Sequence, residues 1–148
     1  MNWEMIGALS ELAGAFAVLF SFVYVGRQVR ESSVQTRVNT SSAIASNFQE
    51  GWTPIYNSPE VSRIWSEGRR DPAALSRDEL DVFKMLMDRQ CFNYMTAVAA
   101  YEDGAYDAEL FDRVTKLFRI LTSEPGGQLW LETGDITISD SARRHLGL

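Results

Sequence analysis

A chain of 148 residues with 45% hydrophobic side chains is one domain's worth of globular sequence. Its formal net charge of −6 excludes the basic face that a nucleic-acid binder needs to neutralise phosphates, so no nucleic-acid partner is expected. Cys91 is the only cysteine and His145 the only histidine, which excludes an intramolecular disulfide and a multi-histidine metal site within the chain.

The apolar content is concentrated near the N-terminus. Residues 6–25 read IGALSELAGAFAVLFSFVYV, with one charged side chain, Glu11. Twenty residues of helix rise about 30 Å, the thickness of a bilayer's hydrocarbon core. Trp3 and Tyr24 stand near the two ends, where aromatic belts form. The run therefore predicts a transmembrane helix, with residues 1–30 as a membrane anchor. Two other readings compete. A cleaved signal peptide would want a positive leader, whereas Glu4 is the only charge ahead of the run. A buried helix of a soluble oligomer is the second. No Lys or Arg precedes the segment, while Arg27, Arg30 and Arg37 follow it. The positive-inside rule then puts the N-terminus outside and residues 27–148 in the cytoplasm.

This helix has two unlike faces. At about 100° per residue, Gly7, Ser10, Glu11, Gly14, Val18, Ser21, Val25 and Gln28 fall on one side. Leu9, Leu12, Phe16, Leu19, Phe20 and Val23 fall on the other. Gly7, Ser10, Gly14, Ala17 and Ser21 keep a 3-4-3-4 spacing of small residues, which lets helix backbones approach closely in lipid. Self-association through this face is expected. Glu11 lies on it, and a carboxylate at membrane depth wants a partner, water or a path to the surface.

The pattern Trp3-Glu4, Ile6-Gly7-Ala8, Glu11, Gly14-Ala15, Val18, Tyr24 and Gln28-Val29-Arg30 resembles the opening of an uncharacterised family of small bacterial membrane-anchored helical proteins. These begin W-E-x-I-G-A-x-x-E-x-x-G-A and continue into helices. Asn57-Ser58-Pro59-Glu60 with Ile64-Trp65 and Gly68 is a second likeness. The resemblance implies a bacterial, membrane-anchored, helical protein and says nothing of chemistry.

Between Arg27 and Gln49 there is no proline or glycine, and Val34, Val38, Ala45, Phe48 and Trp52 recur at helical spacing. A helical stalk over 31–57 is predicted, either bundled between subunits or packed on its own domain. A bend at Gly26, and an end or bend at Gly51 and Pro54, are expected. A helical bundle domain over 58–148 follows. Ser58-Pro59-Glu60 starts a short helix that Asp71-Pro72 breaks. Ser76 and Glu79 form a capping box ahead of a helix with Leu80, Phe83, Met87, Tyr94, Val98 and Tyr101 on one stripe. That helix ends at Gly104. Asp107 caps the next, whose stripe is Leu110, Val114, Leu117 and Leu121, with Phe111 and Phe118 beside it. Ser123-Glu124-Pro125 opens a last short helix through Trp130. The tail from Gly134 is weakly patterned, and Ile136-Thr137-Ile138 is β-prone but too isolated to build a sheet. The fold class is all-α.

No motif for chemistry stands out. There is no phosphate-binding Gly-Lys-Ser/Thr loop and no Gly-x-Ser-x-Gly elbow. Cys91 and His145 could pair as nucleophile and base, yet Cys91 sits mid-helix between Met87 and Tyr94, the setting of an inert thiol. Glu102, Asp103, Asp107 and Glu109 surround Gly104 without the spacing of a calcium loop, so helix capping explains them. Arg69-Arg70 and Arg143-Arg144-His145 are short basic spots, read as solvated surface, with contact to anionic lipid or an acidic partner as the alternative. No catalytic, cofactor or metal residue is expected. The expected protein is non-enzymatic, single-pass, in the bacterial inner membrane, assembling with itself or another membrane protein and presenting a helical interaction domain. A small homo-oligomeric pore is the alternative; Val18 and Val25 on the small face count against a wide one.

Overall fold

The computed structural model describes the backbone of residues 3–134 and 136–148, and their side chains except at 3–6, 8–10 and 13. Among the described residues every regular element is helical: α1 (Trp3–Asn57), α2 (Pro59–Arg70), a 3-10 turn (Pro72–Ala74), α3 (Arg77–Glu102), α4 (Ala108–Ser123), α5 (Pro125–Thr133) and α6 (Asp140–Leu146). The chain divides into two compact units, residues 1–38 and 39–148. Residues 39–57 of α1 thus belong with the helices that follow them, and the boundary falls inside the segment read from the sequence as a 31–57 stalk.

In the first unit α1 runs through Gly26 as helix. Its side chains from Gly14 to Val38 are exposed. Among the described residues no helix is long and apolar enough to cross a membrane. Residues 6–25 are described continuously at side-chain level only from Gly14, so the fold does not establish the transmembrane assignment.

The second unit is a helical bundle around α3. Four helix starts are fixed by a side chain accepting from a free amide of the first turn: Ser58 from Val61 N, Ser76 from Glu79 N, Asp107 from Glu109 N and Leu110 N, and Ser139 from Ala142 N; α5 starts instead with Pro125 in its first turn and no side-chain cap. Glu79 returns the bond to Ser76 N at 2.8 Å, completing the expected capping box. Gly104, at φ +68°, reverses the chain after α3, a conformation that glycine adopts without a Cβ penalty.

The core is aromatic. Trp65 meets Trp52 edge-on at 5.4 Å and Phe83 at 5.7 Å. Tyr94 stacks on Phe118 at 4.7 Å, Tyr101 on Phe111 at 4.1 Å, and Phe118 meets Trp130 edge-on at 6.4 Å. Trp130 is buried, and its indole N–H donates to Asp88 Oδ1 at 2.7 Å. Helices α2 and α5 approach at Gly68 and Gly126, where a Cβ on Gly126 would stand 2.0 Å from the Gly68 carbonyl oxygen. Beside this crossing the Arg69 guanidinium binds Glu124 through two 2.5 Å hydrogen bonds.

Three expectations change. Of the end or bend expected at Gly51 and Pro54, the end does not occur: helix α1 continues to Asn57, because Pro54 removes one backbone donor without closing the helix. On α4 Leu121 is buried as expected, but the residues inward beside it are Phe111, Thr115, Phe118 and Thr122, whereas Leu110 and Leu117 are each 40% exposed. The inward face is centred on the two phenylalanines, which stack on the tyrosines of α3. The tail also holds α6, which buries Ala142 and Leu146, and Ile138 enters the core from an irregular segment.

Candidate membrane and docking surfaces

The first candidate surface is the N-terminal part of α1. Phe16, Leu19, Phe20, Phe22, Val23, Tyr24 and Val25 are all more than half exposed. Of the expected packing face, Gly7, Glu11, Gly14, Ala17 and Ser21 are exposed, and nothing lies within 4 Å of where a Cβ on Gly7 or Gly14 would be. Ser21 Oγ donates to its own helix, to Ala17 O at 2.8 Å. The side chains of Ser10 and Trp3 lie outside the described residues. Arg27 and Arg30 are exposed beyond Tyr24, on the helix that carries the apolar run.

The second surface lies in the bundle, on either side of residues 45–56 of α1. One groove, of about 650 Å³, is walled by Pro54, Val61, Val82, Met85, Leu86, Phe92 and Ile136, with Glu50, Asp88 and Arg89 at its polar positions. The other, of about 690 Å³, lies between α1 and α4 and is walled by Phe48, Trp52, Tyr56, Tyr106, Val114 and Leu117. Met85, Phe92 and Tyr56 are exposed large side chains. The sequence pattern did not show these grooves. Their signal was the surplus of apolar residues over one stripe in α3 and α4: Met85 and Phe92 lie off the α3 stripe, and Leu110 and Leu117 off the observed α4 stripe.

The polar groups singled out from the sequence have structural occupations. Cys91 is fully buried, and desolvation, with Asp88 nearby, pushes its thiol up to about 12, leaving no thiolate for nucleophilic work. His145 instead meets Glu102 at 3.6 Å and lies edge-on to Phe111 and Tyr101. Glu102 accepts from Ser141 Oγ, and this bond is the main reason its carboxyl lies below the usual range. The surrounding acids are divided: Asp107 caps α4 and Glu109 pairs with Arg113. Among the described residues no group of acids, histidines and cysteines gathers to hold a metal ion. Arg69 departs from the solvated surface expected of it: it is held by Glu124 and stands 5.8 Å over the Trp65 ring. Against known families, curated proteins and solved structures, the chain finds no match.

Proposed function

We propose that the chain is a non-enzymatic, single-pass protein of the bacterial inner membrane that self-associates through helix 1 and presents its helical bundle to the cytoplasm as an interaction domain. The observation that carries this reading is the unbroken exposure of large apolar side chains from Phe16 to Val25, where Phe20 is 73% and Phe22 72% exposed. Apolar surface left in water costs about 25 cal/mol per Å², so a run of this kind favours lipid or another apolar surface. The sequence of 6–25, with its single charge, adds the length that a bilayer needs. Arg27, Arg30 and Arg37 after it, with no basic residue before it, support a cytoplasmic bundle. Open space around Gly7 and Gly14 leaves the small face available to a second copy, and the apolar Val18 and Val25 on that face favour closed contact over a water-filled pore. The buried, high-pKa Cys91 supports a role without nucleophilic chemistry.

The test is fractionation of cells expressing the full chain, followed by a carbonate wash. The chain should stay with the membranes; release into the supernatant overturns the anchor. In detergent, Gly14→Leu should lower the particle mass toward that of a single chain, while Phe16→Leu should leave it unchanged. Equal masses for wild type and Gly14→Leu remove the small-face contact.

A further inference from the structure

We infer that residues 44–57 of α1 form a strap over α3 that opens while the rest of the bundle stays folded, and that the buried amide of Gln90 sets how readily it does so. Gln90 is 1% exposed, and among the described residues its Nε2 is the one buried side-chain polar atom with no hydrogen-bond partner. A buried amide in that state destabilises the arrangement that buries it and is relieved when water reaches it. It faces the strap: a Cβ on Gly51 would stand 3.3 Å from Gln90 Nε2 and 2.7 Å from Asn93 Nδ2.

The strap is held by little else that is polar. Asn93 Nδ2 donates to Asn47 O at 3.1 Å, and Glu50 reaches Arg89 only at 3.9 Å, with both side chains half exposed or more. Pro54 brings no N–H to the carbonyl of Glu50, which weakens the helix at the same place. Ile44 and Ile55 are its buried apolar anchors, and Trp52 leans on Trp65. Grooves of about 650 and 690 Å³ border it on its two sides, so the strap lacks the close flanking packing of a core helix. Opening joins these grooves into one trough along α3, with Met85 and Phe92 already exposed at its margin. Segments held in this way open at lower free energy than the whole fold. The inference does not depend on membrane anchoring.

Native-state hydrogen exchange on the full chain in detergent tests it. Amides of 44–57 should exchange more than tenfold faster than those of 87–98 in α3. Gln90→Met, which keeps the side-chain length and removes the amide, should slow strap exchange by about tenfold, the scale of one buried unpartnered polar group. Asn93→Ala, which removes the one polar tie of good length, should speed strap exchange and leave the amides of α5 unchanged. Exchange of 44–57 together with 87–98 overturns the inference. So does strap exchange that Gln90→Met leaves unchanged or accelerates, or that Asn93→Ala fails to accelerate.

Discussion

Glu79 carries two structural tasks with one carboxylate. It accepts from the Ser76 amide at 2.8 Å, closing the capping box, and it accepts from Arg63 of α2, tying the start of α3 to the preceding helix. The Ser76 backbone bond first, and then the Arg63 bond, hold its carboxyl at about 2, below the usual 4.5. Because the folded value is depressed, the contribution is complete above the ordinary glutamate range and is lost as pH falls toward 2. The melting temperature of the wild type should therefore fall between about pH 5 and pH 2, and Glu79→Gln should remove part of that fall. Identical pH profiles for the two proteins would show that the carboxylate charge contributes nothing. The capping box itself was legible in the sequence because it is local, two side chains three residues apart. The bond to Arg63, sixteen residues away, was not, since nothing in a local pattern says which basic residue the fold will bring near. The same holds for Arg69, whose partner Glu124 is fixed only when α2 and α5 meet.

At the scale of elements, the sequence specified where helices begin better than which way they face. Ser58, Ser76 and Asp107 each mark a real start. The inward side of α4 was legible only in part, with Leu121 buried but Leu110 and Leu117 exposed, because a leucine stripe and a phenylalanine stripe run side by side and the rings on α3 choose between them. Helix α6 went unread because it is seven residues long, too short for periodicity to register, although Ser139 and Gly147 bracket it as caps. The crossing of α2 and α5 is likewise a tertiary fact, written in two glycines far apart in sequence. Gly126→Ala should destabilise the protein by about 1–3 kcal/mol in denaturant unfolding, since the added methyl meets the Gly68 backbone rather than a side chain that can turn away. Helix propensity works in the opposite direction at about 1 kcal/mol, so an unchanged midpoint would mean that the two helices separate easily.

For the whole molecule, the division at residue 38 has a direct consequence. A chain of residues 39–148 should fold, stay in solution after a carbonate wash and melt cooperatively by circular dichroism. A truncation at residue 57 should be less stable, because it removes Ile55 from the core cluster, Trp52 from its margin and the buried Ile44. If the 39–148 chain were unfolded, the first unit would have to be part of the folding unit. The aromatic centre of the bundle also encloses the only sulfhydryl of the protein, with its proton held up to about 12. Fluorophores and spin labels that attack thiols will therefore pass over the native fold at neutral pH. A single cysteine placed anywhere on the exposed helices can be labelled alone, with the wild-type sequence as its own blank. When Cys91 does react, the rate of modification counts the occasions on which the interior opens.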